Sequence, residues 1–139
     1  MAHTGQCLCG AVTVSIDADP IGARTCWCRQ CQKFGGGNGT TNAFFPAASI
    51  QSAGDLTWFE SVADSGNTNH RAFCPKCGSH IFTQGSGAPQ ICGVRVSVLD
   101  DNELIAPQAV IFTDSAPSWA LIDPALPGFP KAPPPVAPK

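Results

Sequence analysis

The chain carries few charges, and no stretch of it is strongly basic. Among its 139 residues, eight lysines and arginines stand against ten aspartates and glutamates, giving a formal net charge of −2. Proteins that bind nucleic acid usually carry a basic patch, because contacts to the phosphate backbone supply much of the affinity. The charge pattern therefore argues against a nucleic-acid partner.

Long apolar segments are missing as well. The first twenty residues contain no basic region followed by a continuous apolar run, whereas a membrane-spanning helix needs about 20 apolar residues. We therefore expect neither a signal peptide nor a membrane span, and no membrane partner.

A helical apolar pattern is also absent, whereas alternation with period 2 recurs. Apolar residues alternate with polar ones over residues 12–16 and 92–98, which predicts two half-buried strands. Weaker strand candidates, bounded by Gly, Pro, Asn or Asp, are residues 42–45, 56–61, 70–73, 80–83 and 108–113. Residues 46–53 could form a short helical turn. The sequence thus predicts a mainly β fold.

The length fits one domain followed by a short tail. A chain of this size buries roughly two-thirds of the surface that its unfolded form exposes, so it needs no cross-link merely to fold. We predict a domain over residues 1–125 and a tail over residues 126–139, in which six of the fourteen residues are proline. This composition favours an extended, largely unpacked segment, either solvated or bound by a partner as a polyproline ligand.

The eight cysteines are the most informative residues. Seven of them form three clusters, which are residues 7–10 (Cys-Leu-Cys-Gly), 26–31 (Cys-Trp-Cys-Arg-Gln-Cys) and 74–78 (Cys-Pro-Lys-Cys-Gly). Cysteine makes up about 6% of the chain, less than the roughly 8–10% of a small secreted disulfide scaffold. Thiols in Cys-x-Cys are also badly placed to bridge each other. We therefore expect free thiols and a reducing compartment, the cytoplasm.

Thiols at these spacings are typical zinc ligands. Cys74, Cys77 and Gly78 form a zinc-knuckle pattern, in which a tight turn presents two sulfurs on one side. A closed tetrahedral site needs a second pair, which Cys7 and Cys9 could supply. Metal binding in structural zinc sites is worth roughly 10–16 kcal/mol in peptides, more than the few kcal/mol needed to close a long loop. Spacing alone also permits other pairings, such as Cys7 and Cys9 with two of the central three cysteines.

Cys26, Cys28 and Cys31 then remain as a set of three. A tetrahedral metal with three protein ligands keeps one position for water or substrate, as in catalytic zinc sites. A fourth ligand would close the site and make it structural; the candidates are His3, His70, His80 and Cys92. Each histidine alone is more often a surface or hydrogen-bonded residue, and Cys92 lies in an apolar strand pattern that is typical of a core thiol.

Together these clusters resemble the glutathione-dependent formaldehyde-activating family, also called centromere protein V-like. The similarity lies in residues 5–12, 26–33 and 71–79, and it continues through residues 99–101, 115–119 and 126–129. It implies a mainly β, Mss4-like single domain of short antiparallel sheets held together by zinc. It also implies two zinc ions per chain, a structural one on Cys7, Cys9, Cys74 and Cys77 and a catalytic one on Cys26, Cys28 and Cys31.

The resemblance further implies an activity of the carbon–sulfur lyase type, the addition of glutathione to formaldehyde to give S-(hydroxymethyl)glutathione. The partners would be a small thiol and a small carbonyl compound. Three thiolates on zinc leave a net charge of −1, so the site is better suited to holding a further thiolate than to making hydroxide. Arg24 or Arg29 could bind a carboxylate of glutathione. Many relatives carry histidine where this chain has Trp27, so any polar role of that side chain is lost here.

Two other functions compete with this activity. A non-enzymatic zinc module that binds a protein partner would expose an aromatic patch, for which Trp27, Phe34 and Trp58 are the candidates. A thiol redox enzyme would use Cys92 as its nucleophile.

Overall fold

The computed structural model describes residues 2–63 and 66–133. In chain order, the strands and the α-helix of that part are β1 (His3–Gln6), β2 (Thr13–Ile16), β3 (Gly22–Cys26), α1 (Arg29–Phe34), β4 (Thr40–Pro46), β5 (Ile50–Ala53), β6 (Thr57–Val62), β7 (Thr68–Phe73), β8 (His80–Gly85), β9 (Ile91–Arg95), β10 (Val110–Ile111) and β11 (Gly128–Phe129). Short 3-10 helices cover Ala47–Ser49, Val96–Val98 and Thr113–Ser115. Within these described ranges no helix is long and apolar enough to cross a membrane.

The strands form two sheets. The smaller sheet has the order β1-β2-β5, and the larger has the order β11-β10-β3-β4-β9-β8-β7-β6. All pairings are antiparallel except those of β10, which runs parallel to β3 and to β11. The prediction of a mainly β fold is thus confirmed.

The large sheet has one apolar face, which forms the core. Side chains alternate between the two faces of a strand, so Ala43 and Phe45 of β4 lie beside their partners Val94 and Cys92 of β9 on the same face. These four residues are buried and cluster with apolar residues of the small sheet, among them Ile16. Burial of this face stabilises the fold by roughly 25 cal/mol for each Å² of apolar surface removed from water.

The opposite face of the large sheet is polar. Strand register places Arg24, Asn42 and Arg95 side by side on β3, β4 and β9, and it places Arg71 of β7 beside Thr83 of β8. Helix α1 lies over part of this face, where the ring centre of Phe34 is 4.9 Å from Cζ of Arg71. This face therefore carries three arginines next to the helix that contains Cys31 and is capped by Cys28.

The strands differ from the predicted ones where the chain turns or where its residues are polar. The alternating pattern over residues 92–98 continues past the end of β9 into the 3-10 helix, because the chain turns there and pairs with β1, where the amide of Asp100 donates to the carbonyl of Thr4. Of residues 46–53, for which a short helical turn was predicted, Ala47–Ser49 form a 3-10 helix, whereas Ile50–Ala53 form strand β5. Strands β1 and β3 were not predicted, because neither has an alternating apolar pattern.

The prediction of a largely unpacked segment from residue 126 is wrong for its first part. The carbonyls of Pro127, Pro130 and Lys131 accept hydrogen bonds from the amides of Val110, Asp114 and Phe112, respectively. Proline has no amide hydrogen but keeps its carbonyl, so a proline-rich segment can still pair at a sheet edge. Residues 134–139 of the predicted tail lie outside the described residues.

Candidate metal centres

Two groups of cysteines converge in the structure. The first joins the β1–β2 connection to the β7–β8 connection and consists of Cys7, Cys9, Cys74 and Cys77, whose four sulfurs all lie within 4.8 Å of one another. Cys9 Sγ is 3.7 Å from Cys7 Sγ and 3.8 Å from Cys74 Sγ. A tetrahedron with zinc–sulfur bonds of about 2.3 Å has edges of about 3.8 Å. The spacing of these sulfurs therefore fits a zinc ion.

Backbone amides and a hydroxyl support the four-sulfur group. The amide of Val12 donates to Cys7 Sγ over 3.3 Å, and the amide of Lys76 donates to Cys74 Sγ over 3.4 Å. The first of these bonds lowers the pKa of Cys7. The hydroxyl of Ser79, 3.2 Å from Cys77 Sγ, lowers the pKa of Cys77 to about 5. Donors aimed at sulfur favour the thiolate form, which is the form that binds metal.

The second group consists of Cys26, Cys28 and Cys31, and its three sulfurs also lie within 4.8 Å of one another. Cys26 ends β3, Cys28 caps the N-terminus of α1, and Cys31 lies within that helix. The amide of Cys31 donates to Cys28 Sγ over 3.3 Å, so the cap holds one ligand sulfur while it satisfies a free helix amide. The Cys-x-Cys-x-x-Cys spacing thus becomes a strand end followed by one helical turn.

Among the residues described, no histidine, carboxylate or further cysteine joins this group of three. The suggested fourth ligands lie elsewhere: His3 pairs with Asp19, and His70 lies 4.0 Å from Glu60. The ring of His80 packs against those of Phe34 and Phe73. The alternative pairing of Cys7 and Cys9 with the central cysteines is likewise not seen.

The three sulfurs are coupled electrostatically. Hydrogen bonds from Cys26 and Cys28 lower the pKa of Cys31 strongly, and the nearby charge of Arg95 acts in the same direction. Hydrogen bonds with Cys28 and Cys31 raise the pKa of Cys26 instead. All three thiols can ionise together only if a cation compensates their repulsion, and soft sulfur donors select zinc or a similar metal.

A cavity of about 540 Å³ opens beside the group of three. It lies on the polar face of the large sheet, and its walls include Cys26, Cys28, Cys31, Arg24, Asn42, Phe44, Arg71 and Thr83. Its floor runs over Gly85 and Gly93, whose missing side chains leave room above the strands. A ligand in this cavity would contact the three cysteines and the side chains of Arg24 and Arg71.

The remaining candidates from the sequence take other positions. Cys92 is 4% exposed within the core, outside both sulfur groups, and burial raises its pKa to about 12. A thiol in that state is a poor nucleophile, which argues against the redox alternative. Trp27 is buried, and its backbone bonds to Ile111 and Gln32. Of the three aromatic residues proposed for a partner surface, Trp58 is the clearly exposed one, at 48%.

Arg71, Arg95 and Asn42 are site residues that the sequence did not reveal. The sequence signal for these residues is weak. Arg95, for example, occupies a polar position of an alternating strand, and such a position ordinarily faces water. Helix α1, whose Phe34 packs on Arg71, covers part of that face.

Comparison with known proteins finds similarity over most of the chain. A sequence model of the family described as glutathione-dependent formaldehyde-activating enzyme matches residues 2–115. A crystal structure of a Rhodobacter sphaeroides protein superposes with a TM-score of 0.59 at 19% identity, covering 91% of this chain and 98% of that one. At that identity the likeness shows a shared fold. No curated protein sequence matches the chain.

Proposed function

Since the chain belongs to the glutathione-dependent formaldehyde-activating enzyme family, we propose that it adds a glutathione-type thiol to formaldehyde or another small carbonyl compound. The observation that carries this proposal is the group of three cysteines in the wall of the cavity, with no fourth protein ligand among the described residues. Such an arrangement leaves room for a ligand from solution. The four-sulfur group borders no part of that cavity, which supports a structural role for it.

The two sulfur groups would each bind a zinc ion, and the two ions would have different roles. Cys7, Cys9, Cys74 and Cys77 would hold a structural zinc ion, and Cys26, Cys28 and Cys31 would hold the second one. A zinc ion with three thiolate ligands keeps one coordination position open and lowers the pKa of a thiol that binds there.

The proposed reaction balances without an oxidant or a reductant. A bond forms between the thiol sulfur and the carbonyl carbon, the π electrons of the carbonyl move to its oxygen, and the proton lost by the thiol ends on that oxygen. Asn42 lines the cavity, and its Oδ1 accepts a hydrogen bond of 3.0 Å from Arg95 Nη1. This bond fixes the amide, so that its nitrogen can donate to the oxygen on which negative charge develops.

The test is the rate of thiol addition to labelled formaldehyde, followed by exchange NMR with fully metallated protein. The rate above the spontaneous reaction should increase in proportion to protein concentration. Cys28→Ser should lose this increase, whereas Cys92→Ala, which removes a cysteine outside both sulfur groups, should keep it. A rate equal to the spontaneous one for formaldehyde and for other small aldehydes would reject the proposal.

One observation favours a second candidate, a zinc-binding interaction module. Strand β6 is one of the two edge strands of the large sheet, and it exposes Trp58 (48%), Phe59 (53%) and Val62 (66%). An exposed apolar edge strand is a surface on which another chain can add a strand. Trp58→Ser together with Phe59→Ser should abolish partner binding if this reading is correct and should leave thiol addition unchanged.

A further inference from the structure

The segment that follows β11 leaves the large sheet beside the group of three sulfurs. Strands β3, β10 and β11 are neighbours and run parallel, and Cys26, Ile111 and Phe129 stand in register across them. Chains that leave parallel strands at their carboxyl ends emerge at the same edge of the sheet. The residues after Phe129 therefore leave the sheet on the side where Cys28 and Cys31 follow β3.

This segment is long enough to reach the cavity that the three cysteines line. Neighbouring strands lie about 4.7–4.9 Å apart, which places β11 about 10 Å from β3. Three residues of extended chain span at most about 11 Å, and Ala132 and Pro133 do line that cavity. Ala132 is exposed and Pro133 is half-buried. The two residues therefore form a part of the cavity wall that also contacts solvent.

Hydrogen bonds fix the backbone immediately before these two lining residues. Three successive carbonyls accept them, namely that of Phe129 from the Thr113 hydroxyl (3.3 Å), that of Pro130 from the Asp114 amide (3.2 Å) and that of Lys131 from the Phe112 amide (3.2 Å). The ring of a proline also fixes its φ at about −65°, so Pro130 and Pro133 stiffen the segment further. A segment held in this way is a fixed wall rather than a loop that yields to a ligand.

Phe112, which donates to Lys131, has an unusual backbone conformation. Among the described residues it is the one non-glycine residue with a positive φ, 56°, in a region that a bulky residue rarely adopts. The 3-10 helix that follows, Thr113–Ser115, ends on a carbonyl that accepts a hydrogen bond of 2.9 Å from Gln32 of α1. Rare conformations persist where the surrounding structure requires them, often at ligand sites. This turn connects the C-terminal segment to the helix that contains Cys31.

The two lining residues also lie beyond the part of the chain that matches the family. That match covers residues 2–115, which include the three central cysteines. The sulfurs of the cavity thus come from the matched part of the chain, whereas Ala132 and Pro133 come from outside it. A property that depends on these two residues can differ from one member of the family to another.

We propose that residues 130–133 limit the size of the ligand that reaches the three central sulfurs, with Ala132 and Pro133 as the limiting residues. The inference rests on the proposed function for the kind of ligand, because it restricts the carbonyl compound to a small one. The proline-rich end of the chain then contributes to specificity. A segment that only covered the edge of the large sheet, which its prolines also suit, would leave the size of the ligand unrestricted.

Alkylation of Cys28 in the full-length, metal-loaded protein measures access to the sulfurs without requiring thiol addition. Cys28 is half-buried and lines the cavity, whereas Cys9 is exposed and does not line it, so Cys9 serves as an internal reference. Peptide mass spectrometry follows the rates at both cysteines with N-methylmaleimide and with the larger N-(1-pyrenyl)maleimide. In the wild-type protein, the preference for the smaller reagent should be about 10-fold stronger at Cys28 than at Cys9.

Two shortened chains test the lining residues directly. A chain that ends at Lys131 loses both of them but keeps the three anchoring carbonyls, and it should lose most of the size preference at Cys28. A chain that ends at Pro133 is the matched control and should keep the preference. Ala132→Trp enlarges the same wall and should strengthen it.

An unchanged preference in the chain that ends at Lys131 would overturn the proposal, and so would equal losses in the two shortened chains. If the shorter chain does not fold, an unchanged preference in Ala132→Trp overturns it instead. A wild-type preference that is no stronger at Cys28 than at Cys9 would do the same. So would a Cys28 that reacts with neither reagent in the wild-type protein and in the shorter chain, because something other than this segment would then close the site.

The alkylation result and the thiol-addition assay can fail independently. A size preference at Cys28 without thiol addition to any aldehyde would keep this inference and reject the proposed reaction. Thiol addition that proceeds equally well with formaldehyde and with a large aromatic aldehyde, together with alkylation that shows no size preference, would keep the reaction and reject the size limit.

Discussion

Cys9 Sγ lies 3.8 Å from Cys74 Sγ, although the two residues are 65 positions apart in the sequence. The contact joins the β1–β2 connection of the small sheet to the β7–β8 connection of the large sheet. A metal ion shared by these sulfurs would therefore connect the two sheets directly. The structural consequence of losing a ligand should accordingly differ between the two sulfur groups.

Cys77→Ser should lower the stability by several kcal/mol and prevent most soluble expression, because it removes a thiolate from the group that joins the sheets. Cys28→Ser should be milder, since Cys26 and Cys31 belong to one strand and the helix that follows it. Elemental analysis and thermal unfolding of the two variants provide the measurement. Equal melting temperatures would contradict the division between a structural and a functional group.

Cys92→Ala should keep both metal ions and lose about 1–2 kcal/mol of unfolding free energy, because a small cavity replaces a buried sulfur. Denaturant titration and zinc content check the two parts of this expectation. The loss of one zinc equivalent in this variant would instead make Cys92 a ligand.

The same residue should make stability depend on alkaline pH. Burial raises the pKa of Cys92 to about 12 in the folded protein, so the unfolded chain releases this proton at a lower pH than the folded one does. Stability should therefore fall as the pH rises above the unfolded value, by about 2 kcal/mol between pH 8 and pH 10. The wild-type protein should lose this amount relative to Cys92→Ala, in which the thiol is absent. Parallel pH profiles of the two proteins would count against a buried neutral thiol.

Gly39→Ala should loosen the group of three sulfurs. A Cβ atom at this position would lie 2.6 Å from the carbonyl oxygen of Cys26, so the end of β3 would have to move. Such overpacking costs about 1–3 kcal/mol. We expect the variant to retain one zinc ion and release the other to a weak chelator. Gly128→Ala on β11, whose Cβ would meet its nearest neighbour at an ordinary 3.7 Å, should retain both.

The sequence predicts what depends on local spacing. Cys-x-x-Cys-Gly and Cys-x-Cys turns present their sulfurs to one side whatever surrounds them, so the grouping of ligands could be proposed without a structure. Period-2 alternation likewise located β2 and β9. Strands without that alternation, such as β3, and a helix of six residues such as α1 leave no periodic signal to detect.

What the sequence could not supply is the register between strands. The alignment of Arg24, Asn42 and Arg95 across three strands depends on pairing between residues up to 53 positions apart. Asn42 and Arg95 are also buried, on a face that α1 partly covers. The sequence pattern predicts a polar face in contact with water. In the structure this face forms the wall of a cavity, because tertiary packing decides which face is covered.

The central claim is that the group of Cys26, Cys28 and Cys31 accepts a sulfur ligand from solution. Cobalt-substituted protein titrated with glutathione tests it, since sulfur-to-cobalt charge-transfer absorption reports each sulfur bound to the metal. Addition of glutathione should increase this absorption as a fourth sulfur joins, and Cys28→Ser, which loses the second metal, should show no increase. A spectrum of the fully metallated protein that does not change with millimolar glutathione would contradict the account.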